Sequence, residues 1–137
     1  MSEMSGFLDR PDGERLAWRR VEGAAPTVVW LGGFNSDMAG TKAQALADWA
    51  LACGRAYVRF DYFGHGESSG EFAEGTITRW REDALAVLDE LALGEVVLVG
   101  SSMGGWIACL AAMARPERVK AMVLIAPAPD FTEKLMA

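Results

Sequence analysis

The chain has 137 residues, 51% of them hydrophobic and 23% charged, which suffices for one globular domain with a real core and excludes disorder. Its formal net charge of -6, with arginines dispersed among acids, argues against a nucleic-acid groove or an anionic membrane surface, leaving a small-molecule or protein partner. The start, "MSEMSGFLDRPDGER", holds no signal-type apolar core, and nowhere do eighteen apolar residues run together, so no membrane span is expected and the expected compartment is the cytoplasm.

The turn signal "RPDGE" ahead of Arg15–Val21 predicts a small hairpin in front of the main fold. "TVVWLGG" (27–33) follows, a β-branched run with little alternation, as expected of a strand buried on both faces. Ala43, Leu46, Ala47 and Ala50 then share one helical face, and Gly54 is placed to stop that helix. "AYVRFDY" (56–62) is a second buried-type strand. Trp80, Ala84, Val87, Leu88 and Leu91 make the next helical stripe, with Arg81, Glu82, Asp83 and Glu90 expected on the wet side. "EVVLVG" (95–100) is a third strand, Met103, Trp106, Ile107, Leu110 and Ala114 a third helix ended by Pro116, and "KAMVLIAP" (120–127) a fourth strand of buried type.

Strands alternating with helices at these lengths read as consecutive βαβ units, an α/β fold with a mostly parallel sheet and right-handed crossovers. No repeat, low-complexity tract or linker divides the chain, so residues 1–137 are read as one domain or part of one. Cys53 and Cys109 share no metal-type spacing and lie in apolar helical patterns, so both are expected as reduced core residues. No metal site is expected.

Gly100-Ser101-Ser102-Met103-Gly104 fits GxSxG, and it lies between a predicted strand and a predicted helix, the context which that pattern requires. A serine in this turn is strained, with its hydroxyl lifted above the sheet, and side chains two residues before or after it would collide. The register makes Ser102 the candidate nucleophile and Ser101 a structural hydroxyl. Unpaired N–H groups at the start of the following helix stabilise an oxyanion formed by attack on a carbonyl. Met103 N–H is one candidate donor. The second is Phe34 N–H, in "WLGGFNSDM", where Gly32, Gly33 and Phe34 occupy the loop after an earlier strand. Gly33, Phe34 and Met103 are the candidate substrate-contacting residues. The competing reading of this corner is a glycine-rich turn of a nucleotide-binding domain, although "GSSMGG" is neither GxGxxG nor a P-loop with its lysine.

With "LGGFNSDMAGTKA", "RFDYFGHGESSGEF", "GTITRWREDA", "LVGSSMGGW" and "RPERVKAMVLIAPAPDFTE" in this order, the chain resembles the α/β-hydrolase superfamily. It is most similar to the branch that holds bacterial α/β hydrolases and the mitochondrial acyl-protein thioesterase, also described as an acyl-glucuronide esterase. The resemblance runs from Leu31 to Glu133. It implies hydrolysis of an ester or thioester by a Ser, Asp, His triad through an acyl-enzyme, without a cofactor.

Chain order in this fold is nucleophile, acid, histidine. The single histidine of the chain, His65, precedes Ser102, so no downstream base is present. His65, in "FGHGESSG", is expected to be a hydrogen-bonded loop residue, as is usual at that turn of the superfamily, and not a triad base. Asp130 stands where a minority of related hydrolases place the acid but is expected at the entrance to a lid. Asp61 is expected to brace a loop.

Val119–Ala126 is a buried-type strand that would become an exposed apolar edge if nothing followed it. The chain is therefore expected to be the front portion of a hydrolase domain of roughly 200 to 250 residues. Alone it is expected to show little or no activity. The alternative is a non-catalytic binding module, or a remnant, retaining the serine corner.

Overall fold

Asp12-Gly13 reverses the chain at the hairpin signal, with Gly13 at φ 88 in the left-handed region that glycine enters at least cost. The structure is a computed structural model and describes residues 2–126. The turn joins β1 (Glu3–Asp9) to β2 (Arg15–Val21), antiparallel in unbroken register from Glu3 opposite Val21 to Asp9 opposite Arg15. The β-branched runs become β3 (Ala24–Leu31), β4 (Arg55–Phe60), β5 (Val96–Ser101) and β6 (Val119–Ile125). These four are mutually parallel, in the order β4-β3-β5-β6, and β2 joins the outer edge of β4 antiparallel.

Helices α1 (Thr41–Cys53), α2 (Ile77–Glu90) and α3 (Met103–Ala114) link the parallel strands. Along β3, Val28 and Trp30 face one side and Val29 and Leu31 the other, and both sets are apolar because both faces are covered. Val28 and Trp30, with Tyr57 and Val99, pack against Ala43, Ala47 and Ala50 of α1. Val29, Leu31, Val58 and Leu98 pack against Trp80, Val87 and Leu88 of α2 and Met103 and Ile107 of α3. The chain thus leaves β3 toward one face and its neighbour β5 toward the other. Adjacent parallel strands whose connections part in this way leave a crevice at their carboxyl ends, the usual ligand position of an open α/β sheet.

The predicted stop is present: Gly54 closes α1 in the left-handed conformation with its N–H on Ala50 O. Thr76, which the sequence reading did not single out, caps α2 by accepting from Arg79 N–H at 3.1 Å. β4 ends at Phe60, earlier than its apolar run suggests, because Asp61 and Tyr62 turn into loop contacts described below.

Two expectations are corrected. Asp83 is not on a wet face: it is fully buried, accepting Phe63 N–H at 2.8 Å on Oδ2 and Arg79 Nε–H at 3.1 Å on Oδ1. Burial pushes its carboxyl above the usual range, opposed by those two bonds. Helical periodicity could not show this, since what covers Asp83 is a distant loop. Cys53, the last residue of α1, is exposed rather than in the core, and Cys109 is half-buried; both are free thiols. Along β6, Val119 and Ile125 pack against the two core clusters, while Met122, Val123 and Leu124 are 40%, 50% and 39% exposed and form the apolar edge anticipated for this strand. Asp130 lies outside the described residues.

Replacing Asp83 with alanine strands the buried Phe63 amide and takes an anion from Arg79 and from Arg10, 3.8 Å away, with an expected loss of about 2 to 4 kcal/mol. Urea denaturation checks it, and a change below 0.5 kcal/mol, the ordinary size of a surface substitution, would show that the carboxylate is dispensable.

Candidate active site

β5 ends at Ser101 and α3 begins at Met103, so Ser102 alone turns the chain from strand to helix. It does so at φ 57, ψ -120, a conformation that costs a non-glycine residue about 1 to 3 kcal/mol. The backbone is held there from both sides: Ser102 N–H donates to Ile125 O and Ser102 O accepts Gly105 N–H, each at 2.9 Å. The Ser102 side chain makes no capping bond to α3, which leaves its hydroxyl uncommitted to the helix it precedes.

Two glycines permit the corner. A Cβ on Gly100 would lie 2.8 Å from Gly105 Cα and closer still to the Gly104 carbonyl, and one on Gly104 would collide with the Leu31 carbonyl. α3 therefore starts almost in contact with the end of β3. That approach carries the loop after β3 to the serine: the position of a Gly33 Cβ is 3.5 Å from Ser102 Cβ and 3.6 Å from Ser101 O.

The loop after β3 is a tight turn, Ser36 donating to Gly33 O from its N–H at 3.3 Å and its hydroxyl at 2.8 Å, with Asn35 at φ 56. Phe34 sits edge-on to Phe72 and Trp80, ring centroids 4.9 and 5.8 Å apart. Gly33, Phe34, Ser101 and Ser102 line one open cleft of about 580 Å³. Met103, the first residue of α3, is not among its walls, and its side chain is fully buried in the core.

Sequence reasoning missed Trp30, which also lines the cleft. Its Nε1–H is buried with no hydrogen-bond partner among the described residues and lies 3.3 Å from where a Gly32 Cβ would be. The available signal was its place as the last α1-facing residue of β3 before the Gly-Gly turn. Lys42 and Asp37 put one charge of each sign on the same wall.

The loop after β4 staples this turn from behind. Asp61 braces a loop, as expected: Oδ1 accepts Met38 N–H at 2.7 Å and Oδ2 accepts Glu67 N–H at 2.9 Å. Burial raises its carboxyl above the ordinary range, against the pull of these two donors. Arg59, 1% exposed, donates to Met38 O at 2.9 Å and pairs with Glu3 at 2.7 Å, and the Tyr62 hydroxyl donates to Gly32 O at 3.0 Å.

His65 is 3% exposed and has both ring nitrogens engaged. Nε2 accepts Asn35 N–H at 3.0 Å, which leaves Nδ1 to carry the proton donated to Phe63 O, also at 3.0 Å. Burial holds its pKa below the ordinary histidine value, the Phe63 bond opposing. Its hydrogen bonds run to loops and not to Ser102. Among the described residues no hydrogen bond joins Ser102 to a histidine or a carboxylate. There is likewise no cluster of three or more metal-ligating side chains among them, and no helix long and apolar enough to cross a membrane.

The sequence model of the alpha/beta hydrolase fold family matches residues 26–136. The chain belongs to that family. The mostly parallel sheet and its flanking helices are those of an α/β hydrolase, as the sequence implied. This α/β hydrolase is 47% identical over 124 residues to the mitochondrial palmitoyl-protein thioesterase ABHD10 of Bos taurus, an alignment that covers 90% of this chain and 40% of the relative. The Homo sapiens counterpart is 45% identical over the same length and coverage. The solved structure of alpha/beta hydrolase domain-containing protein 10 from mouse superposes with a TM-score of 0.91 at 41% identity, covering 98% of this chain and 54% of that one. The chain thus spans about two fifths of the length of the curated relatives it matches.

These relatives overturn the cytoplasmic expectation, since they are mitochondrial proteins. The expectation rested on the lack of a secretory-type apolar core and of a membrane span. Neither feature bears on mitochondrial import, which uses amphipathic, arginine-rich leaders.

Proposed function

We propose that this α/β hydrolase cleaves carboxylic esters or acyl thioesters, with Ser102 as the nucleophile. The six-stranded sheet is the serine-bearing part of one hydrolase domain. The observation that carries the reading is the strained backbone of Ser102, pinned from both sides, with a side chain that caps nothing and lies against Gly33 in the wall of a cleft.

On this reading the Ser102 hydroxyl loses its proton to a base and Oγ bonds to the acyl carbon. The carbonyl oxygen takes the negative charge and is held by Met103 N–H at the positive end of α3 and by Phe34 N–H across the cleft. The alcohol or thiol leaves with a proton, and water later releases the acid from the acyl-enzyme. Gly33 and Phe34 line the route to the serine, and Met103 contributes through its backbone. His65 is not the base, because its lone pair is already spent on Asn35 N–H. The described residues thus supply a nucleophile and oxyanion donors without a base, so by themselves they are expected to give little or no turnover. An acyl-protein or small acyl thioester is the favoured substrate class, on the strength of the thioesterase relatives.

The test is a fluorophosphonate probe applied to the full-length gene product, followed by mass spectrometric mapping. The expected adduct is on Ser102 and not on Ser101. Equal labelling of the wild type and of Ser102→Ala removes Ser102 from the mechanism, and a non-catalytic binding module then becomes the better reading.

A further inference from the structure

Three features of the oxyanion turn are held by the loop after β4, and one of them depends on a group that can change its charge. Tyr62 O–H fixes Gly32 O and Asp61 fixes Met38 N–H, so the turn is anchored before and after its apex. The apex is Phe34-Asn35. The Phe34 ring rests on Phe72 and Trp80, and Asn35, in the left-handed region, gives its N–H to His65 Nε2 at 3.0 Å. Only one tautomer of a neutral imidazole can do this. The proton must sit on Nδ1, where Phe63 O accepts it at 3.0 Å.

We infer that His65 is a positioning residue for ester or thioester hydrolysis: as the Nδ1–H imidazole it accepts Asn35 N–H and thereby aims the adjoining Phe34 N–H at the oxyanion. The inference rests on the reading of Phe34 as an oxyanion donor given above. His65 touches neither substrate nor Ser102. Its ring is clamped by Tyr62 from the loop after β4, Phe72 from the short turn Phe72–Glu74 and Trp80 from α2, with ring centroids at 5.5, 5.1 and 5.1 Å. Trp80 Nε1–H donates to the same Phe63 carbonyl at 2.9 Å, so imidazole and indole are locked on one oxygen. A ring so enclosed cannot swing away to find another role.

Protonation converts Nε2 from acceptor to donor and sets two N–H groups face to face. The charged and titratable groups around this packing are few. Tyr62 presents a hydroxyl committed to Gly32, and burial holds it neutral far above neutral pH. Asp83 of α2 is spent on Phe63 N–H and Arg79, Arg79 stacks over the Phe63 ring at 4.3 Å, and Asp61 points to Met38 and Glu67. None of them is hydrogen-bonded to the imidazole, so only the bond to Phe63 O opposes the cost of a buried imidazolium. Burial therefore lowers the pH at which the turn loosens to below the ordinary histidine range. The sign follows: a histidine whose folded pKa is depressed adds stability above its unfolded pKa, and that stability falls away as pH drops from there to the folded pKa.

The test separates the two ring nitrogens in the full-length gene product. His65→Gln places an amide oxygen near Nε2 and keeps an acceptor for Asn35 N–H. His65→Asn keeps a donor near Nδ1 for Phe63 O and loses that acceptor. The expected result is that His65→Asn lowers kcat on a p-nitrophenyl ester about 10- to 100-fold with KM nearly unchanged, while His65→Gln recovers most of it. Amide exchange at Asn35 should accelerate in His65→Asn and stay slow in His65→Gln. Two variants with equal activity and equal exchange overturn the inference, and so does a loss in both as complete as that of Ser102→Ala, which would make His65 the base. Exchange and the wild-type NMR titration need no turnover: Asn35 N–H should move with the His65 titration, at a pH below that of free histidine. If the wild type hydrolyses nothing, the reading of Ser102 fails, while these two measurements still decide whether His65 holds the turn.

Discussion

Ser102→Gly is expected to abolish turnover while making the fold more stable. On the proposed mechanism, loss of the hydroxyl removes the covalent route, and the rate should fall by about 10⁴-fold or more, because the proposed oxyanion donors would have no nucleophile to serve. The gain has a different origin. At φ 57, ψ -120 the serine Cβ crowds its own backbone, whereas glycine enters that region freely. Set against the extra chain entropy that glycine loses on folding, the net gain should be about 1 kcal/mol. Ser102→Ala, which keeps Cβ, should lose the same activity without the gain. Urea midpoints of the three proteins decide it: a glycine variant no more stable than the alanine variant would mean that the corner is relaxed.

Gly104→Ala should be the most damaging single-methyl change in the described chain, with an expected loss of about 3 kcal/mol or more. Alanine is the better helix former, by about 1 kcal/mol, so propensity alone predicts stabilisation. Geometry reverses the sign: the new methyl meets the Leu31 carbonyl, a backbone atom at the end of a central strand, rather than a flexible side chain that could give way. Gly94→Ala is the control. It has a left-handed φ of 83 but open space around it, and should cost about 1 to 2 kcal/mol. A Gly104→Ala protein within 1 kcal/mol of wild type would show that α3 can slide on β3.

The sequence announced the corner because its requirements are local. Two glycines, a serine, an apolar run before and an apolar helical face after are all written within fifteen residues, and strand, turn and helix follow from them. The parallel order was legible for a similar reason: both faces of each strand are apolar, and that happens where helices cover both. What could not be read are contacts that join separate loops. Asp83 looked solvated because a helical wheel shows only its own helix, while the Phe63 amide that satisfies it comes from twenty residues away. His65 and Asp61 were read as loop residues, yet nothing in their neighbourhood in the chain names Asn35 or Met38 as the partner. Trp30 stayed hidden because a tryptophan in a strand is ordinary, and only the fold shows that its N–H ends beside the Gly-Gly turn.

Glu3 lies at the far edge of the sheet in sequence terms, yet its carboxylate is the anion that neutralises Arg59, whose guanidinium also grips Met38 O in the loop after β3. The amino-terminal hairpin is thus wired into the reacting end of the molecule. A tag, a cleavage scar or a shortened start that displaces Glu3 leaves an enclosed cation facing that loop, so preparations differing only in their first few residues need not hold it alike.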